Sequence, residues 1–83
     1  MTNDQILASL TEIFRDILDD EDLQLTLQST AADIQDWDSA NHINIIVSAE
    51  MRFKIKFNSA EIERLKNVGD LVELTQKKLV SKA

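Results

Sequence analysis

One hydroxyl stands out in this sequence. Ser39 follows Asp36-Trp37-Asp38 and precedes the run Ala40-Asn41-His42-Ile43-Asn44-Ile45-Ile46-Val47. A polar segment ends there and an apolar, helix-periodic segment begins, so the serine falls at a helix start. Two roles are open to it. Aspartate and serine both cap helix N-termini by accepting backbone N–H bonds. A primary hydroxyl at that place is also exposed, and the free N–H groups of a first turn stabilise a phosphate made on it. Asp36 and Asp38 oppose such a phosphate electrostatically, so their part is capping or contact with a basic or metal-bearing enzyme.

The neighbours of Ser39 suggest other chemistry. His42 lies three residues further on the same side of a helix, and with Asp38 or Asp36 it invites a hydrolytic triad. Residues three apart on one helix rarely aim a base at a hydroxyl, and no oxyanion hole is evident. The better reading makes His42 a solvent-facing residue near whatever Ser39 carries or a partner. Trp37 is read as a packing anchor for the preceding segment, or else as a partner-recognition residue beside the serine. The run Asp19-Asp20-Glu21-Asp22 hints at a calcium loop, but Leu23 occupies the fifth position and no glycine follows for the sharp turn. No metal site is expected. Cysteine is absent, which excludes disulfides and thiolate chemistry, and one histidine cannot make a multi-histidine centre.

The whole chain must position that serine with few resources. Its 83 residues make one small domain, 1–83, with no proline and one glycine, a composition that suits helices. No apolar run is long enough to span a membrane, and the N-terminus lacks the basic start of a secretory signal; a cytoplasmic protein is expected. The net charge of −6 argues against a nucleic-acid partner. Its distribution says more. Residues 1–38 hold ten acids against Arg15, whereas residues 39–83 hold five acids against eight bases. An acidic first half points to partners with basic patches, or to a solubilising surface with no target.

Hydrophobic spacing divides the chain into four helices. Thr2 and Gln5 form a capping box, and Ile6, Leu10, Ile13, Phe14, Ile17 and Leu18 share one face of a helix over about 3–18. The acids at 19–22 oppose the macrodipole and end it. A long connection follows, in which Leu23, Leu25, Leu27 and Ile34 pin an ordered loop; loops of this length are uncommon unless functional. The second helix runs from about Ser39 to Phe53, with Ile43, Ile46, Val47 and Phe53 on one face and Ile45, Ala49 and Met51 widening it. The link Lys54-Ile55-Lys56-Phe57 turns its apolar residues inward. Asn58 and Glu61 cap a short helix with Ile62 and Leu65. Asn67 and Asp70 repeat the pattern for a last helix reaching about Val80, with Val68, Leu71, Val72, Thr75 and Leu79 inward. Gly69 sits in its first turn, where glycine costs little. The expected fold is therefore all-α: a four-helix bundle, its third helix short, with a long loop between the first and second helices.

Asp38-Ser39 opening an apolar helix, Glu50 and Phe53 further along it, and the later start Asn67-Val68-Gly69-Asp70-Leu71 together resemble the acyl carrier protein family. The resemblance covers almost the whole chain. Its Trp37-Asp38-Ser39 form is similar to stand-alone carriers of specialised pathways. It implies that Ser39 bears covalent 4′-phosphopantetheine, transferred from coenzyme A by a phosphopantetheinyl transferase that reads Asp38. The thiol of that arm would hold acyl or aminoacyl intermediates of lipid, polyketide or related biosynthesis as thioesters. The reactive sulfur then comes with the cofactor, in a chain that has no cysteine. The chain would be a monomeric carrier and not an enzyme, delivering cargo to loading and using enzymes with basic patches. Asp36, Trp37 and His42 would touch the arm or a partner. Ile43, Ile46, Val47, Phe53, Phe57, Ile62 and Leu65 would line a cavity for an acyl chain, and the bulk of Phe53 and Phe57 favours short or polar cargo. The chain departs from the family in having Ala40 after the serine and Glu50 as the only acid of its second helix. That departure favours a dedicated partner set. The competing reading is a small helical interaction domain in which Ser39 is only a helix cap.

Overall fold

In the computed structural model, which describes residues 2–82, four helices follow in order: α1 (Asn3–Leu18), α2 (Ser39–Phe53), α3 (Ser59–Glu63) and α4 (Val68–Lys82). Each begins where a side chain supplies an acceptor that the helix itself cannot. For α1, Thr2 Oγ1 accepts the Gln5 N–H at 3.2 Å and Gln5 Oε1 accepts the Thr2 N–H at 2.9 Å, a reciprocal box. Asn58 and Glu61 do the same for α3, at 2.8 and 2.9 Å. At α4 the pattern shifts. Asn67 Oδ1 accepts the Asp70 N–H at 2.8 Å, but Asp70 returns its bond to the Lys66 N–H at 3.0 Å, one residue earlier than a reciprocal box requires. Asp19 and Lys54 close α1 and α2 in the left-handed region, at φ 52° and 57°.

The core is the seam where α1 meets α2 and α4. Ile6, Leu10 and Phe14 of α1 lose all solvent contact, as do Ile45 and Ala49 of α2 and Val68 and Thr75 of α4. Burying a side chain such as Phe14 contributes about 1.5–3 kcal/mol, so a handful of these residues outweighs the net stability of a small domain. Ile55 and Phe57 of the link also turn inward, as the alternation in the sequence predicts. The short α3 buries no residue completely and leans on the bundle through Ile62 and, just beyond its end, Leu65.

Two expectations about inward faces need correction. On α2 the buried stripe is Ile45, Ile46, Ala49 and Phe53, whereas Ile43, Val47 and Met51 are 51%, 47% and 76% exposed. This helix is apolar on most of its circumference, so spacing alone does not select the stripe that packing against α1 selects. In the long loop, Leu23, Leu25 and Ile34 are buried as expected, but the Leu27 side chain lies outside.

The loop is nonetheless ordered by main-chain bonds. The Val68 N–H donates to Ser29 O at 2.9 Å and the Gly69 N–H to Leu27 O at 2.8 Å, so loop carbonyls satisfy N–H groups at the start of α4. A Cβ on Gly69 would stand 2.8 Å from Leu27 O, closer than side chains approach a carbonyl. The glycine therefore serves this close approach of backbones, a reason absent from the sequence reading. Arg15 Nε donates to Leu23 O at 2.7 Å, tying the loop's first half to α1.

Candidate functional site

The site grows from the last residues of the loop. Thr30 N–H and Oγ1–H both donate to Asp33 Oδ2 at 3.1 Å, forming a local turn. Asp36 then reverses the chain in the left-handed region at φ 68°, which aspartate tolerates better than most residues. The Asp38 N–H donates to Asp36 O at 3.0 Å, and Asn41 Nδ2 donates to the same carbonyl at 2.8 Å. One carbonyl of the turn is thus held both by the residue before α2 and by a side chain of its first turn.

Asp38, and not Ser39, is the N-cap of α2. Its Oδ1 accepts the Asn41 N–H at 2.9 Å and its carbonyl accepts the His42 N–H at 2.8 Å. Ser39 is the first helical residue, exposed to solvent. Among the described residues none exchanges a hydrogen bond with its hydroxyl. The reading of Ser39 as a helix cap is therefore replaced: its neighbour performs that task. With Asn41 and His42 N–H engaged, the amides of Ser39 and Ala40 remain the open donors of this first turn. An anion on Ser39 Oγ would meet those donors and the positive end of the α2 dipole.

Trp37 is placed inside. It is 8% exposed, and its ring meets Phe14 edge to face, with centroids 4.9 Å apart at 85°. Its large face packs on α1, as befits an anchor, and only an edge reaches the surface, where it borders the groove beside Ser39. That edge also bears a hydrogen bond. Trp37 Nε1–H donates to His42 Nδ1 at 3.1 Å, and the two rings lie 5.9 Å apart. His42 is half-buried, not openly solvent-facing, and burial holds its pKa below the usual histidine value. A catalytic triad would require an acid at Nδ1; here an indole holds that position, so the hydrolytic reading has no geometry to support it. Asp36 is exposed, and its role in the turn is carried by its carbonyl.

Ala31, Trp37, Asp38, Ser39, His42, Leu65 and Lys66 line a groove of about 360 Å³. That is at the lower end for small-molecule sites, about 300–1,000 Å³. It offers one open hydroxyl, an imidazole, an ammonium group on Lys66 and the apolar Leu65. Of the seven residues expected to line an acyl cavity, this groove takes only Leu65. Ile46, Phe53 and Phe57 are packed in the core, Ile62 is partly buried, and Ile43 and Val47 stand on the surface. A larger groove of about 710 Å³ runs between α3 and α4, past Arg64, Leu65, Leu74 and Lys77, away from Ser39. Leu65 borders both.

The remaining singled-out residues fall elsewhere. Glu50, the only acid of α2, accepts the Phe57 N–H at 2.8 Å and so fixes the link to α3. Asp19, Asp20, Glu21 and Asp22 form an exposed turn in which Asp20 Oδ1 accepts the Asp22 N–H at 3.1 Å. The Trp37–His42 pair was not foreseen. Its only sequence signal is a five-residue separation across a helix start, and no periodicity marks that.

No family model matches the chain. Individual proteins do. The acyl carrier protein of Renibacterium salmoninarum is 34% identical over 71 residues, which span 86% of this chain and 88% of that protein. The meromycolate extension acyl carrier protein of Mycolicibacterium smegmatis is 30% identical over 76 residues, 92% of this chain and 77% of that protein. Among solved structures, the solution structure of a holo acyl carrier protein from Geobacter metallireducens superposes with a TM-score of 0.86 at 51% identity, covering 93% of this chain and 88% of that one.

Proposed function

Because this chain belongs to the acyl carrier protein family, we propose that it carries its cargo on 4′-phosphopantetheine bonded to Ser39 Oγ. The observation that supports this is the division of work at the start of α2. Asp38 caps the helix, and the adjacent serine keeps an exposed hydroxyl with no partner among the described residues. In the modification, that oxygen loses its proton and displaces adenosine 3′,5′-bisphosphate from coenzyme A, a reaction performed by a separate phosphopantetheinyl transferase with Mg²⁺. When bound, the group supplies a terminal thiol that holds acyl cargo as a thioester.

The chain's own residues present and restrain that arm. The Ser39 and Ala40 N–H groups would hold its phosphate and Lys66 would offset the charge, while Asp38 is fastened by its capping bond where a transferase could read it. Tethering makes each delivery an intramolecular event at high effective concentration. Partners approach α2 along Ile43, Val47 and Met51, an exposed apolar stripe, while the acids at 19–22 meet a partner's basic patch. The cargo belongs to lipid, polyketide or related biosynthesis. Phe53 and Phe57 fill the interior, and Lys78 covers the Phe57 ring with its ammonium 5.7 Å from the centroid. This filling favours short or polar cargo.

The test is intact mass after incubation with coenzyme A and a broad-specificity transferase. A single phosphopantetheine increment is expected, and it disappears in Ser39→Ala. No gain, or a gain that survives the substitution, would falsify the assignment.

A further inference from the structure

We propose that His42 docks the arm bonded at Ser39, its Nε2–H donating a hydrogen bond to a phosphate oxygen, with Trp37 as the positioning residue behind it. This inference rests on the carrier reading and deepens it by assigning the contact that holds the arm against the protein.

The indole nitrogen decides the state of the imidazole. An indole N–H only donates, so the 3.1 Å bond from Trp37 Nε1 requires a lone pair on His42 Nδ1. The single proton of a neutral imidazole then resides on Nε2. Trp37 is not free to release its hold. Its ring is buried with an edge-to-face contact to Phe14, and its backbone N–H donates to Ile34 O at 3.3 Å. Burial also disfavours the doubly protonated ring. Among the described residues, none accepts a bond from Nε2. A half-buried donor of fixed tautomer therefore waits beside the serine.

Its placement matches a phosphate. Ser39 and His42 are three apart on α2, where Cβ atoms on one side of a helix stand about 5–6 Å apart, and both side chains line the same groove. The other charged groups lining this groove are Asp38, from the turn, and Lys66, from the link between α3 and α4. Asp38 is already committed to the Asn41 N–H, so it does not compete for the imidazole. Lys66 supplies charge but, on an exposed flexible stem, little direction. His42 supplies direction. Its bond would hold the first atoms of the arm along the groove toward Leu65 and would leave the distal thiol free to swing.

The experiment uses full-length holo protein made with a transferase and coenzyme A, with ¹⁵N-imidazole and ³¹P resonances recorded at pH 7.5. In both apo and holo forms His42 should show the Nε2–H tautomer. In the holo form alone, the Nε2–H proton should move downfield and become slow to exchange. The ³¹P resonance should shift in His42→Ala and return in His42→Gln, whose amide nitrogen stands near the Nε2 position. Trp37→Phe keeps a ring in the core but removes the indole donor, so it should mix the tautomers and broaden the ³¹P line. A holo wild type whose Nε2–H matches the apo form overturns the inference, as does a ³¹P shift indifferent to His42→Ala. The wild-type comparison stands even if a variant fails to fold. If no diester ³¹P signal forms at all, the carrier reading has failed first and takes this inference with it.

Discussion

Asp38 Oδ1 accepts the Asn41 N–H, and the Ser39 hydroxyl is thereby spared for other bonds. An N-cap contributes about 0.5–2 kcal/mol, so the cap holds α2 in place independently of the serine hydroxyl. His42 links this corner to pH. Burial lowers its pKa in the folded state relative to about 6.5 in the unfolded chain. The unfolded chain therefore binds the proton more readily, and stability is full above about pH 6.5 and falls as pH drops through the folded value. Urea midpoints measured between pH 7.5 and 5.5 should decline, and His42→Gln should flatten the decline; an equal slope in both proteins would remove His42 from the account. The sequence displayed Asp38-Ser39 as a pair at a helix start, but either member could have been the cap. The backbone assigns the duty, because Asp38 holds the extended φ/ψ of an N-cap and Ser39 is already helical. The Trp37–His42 bond was out of reach of the sequence for a related reason: it depends on how the Asp36 turn aims an indole.

At the scale of elements, helix boundaries were legible and helix faces were not always so. Thr2, Asn58 and Asn67 marked their starts because capping is local chemistry, and α1 showed its buried face because its opposite face is polar. On α2 both candidate stripes are apolar, and the choice of Ile45, Ile46 and Ala49 over Ile43, Val47 and Met51 was made by α1. Gly69 illustrates the same limit. Its glycine answers to Leu27 O, a carbonyl from an element remote in sequence. Gly69→Ala should destabilise the protein by about 1–2 kcal/mol: overpacking of this kind costs about 1–3 kcal/mol, and better helix propensity returns up to about 1 kcal/mol. Chemical denaturation measures it, and a stabilised variant would show that the loop yields easily.

The molecule as a whole is polarised in charge, −9 over residues 1–38 and +3 over residues 39–83. The exposed acids at 19–22 concentrate part of that field on the loop. Charges on a surface steer association within a Debye length, about 10 Å at 0.1 M salt. The rate of association with a transferase should therefore fall as salt is raised. Replacing Asp19, Asp20 and Asp22 by Asn and Glu21 by Gln should remove most of that dependence, as stopped-flow measurement can check; a rate indifferent to salt in the parent would locate docking elsewhere. These replacements retain the local turn, since Asn tolerates the left-handed position at 19 and an amide oxygen at 20 still accepts the Asp22 N–H.

The seams from Leu27 and Ser29 to the first residues of α4 join main-chain atoms, so they make few demands on the side chains that the loop turns outward. Only Gly69 is held to its identity by them. The outward surface between the first two helices is accordingly open to redecoration: it can be recharged for a different partner over evolutionary time, or by an engineer, while Ser39 stays where it is.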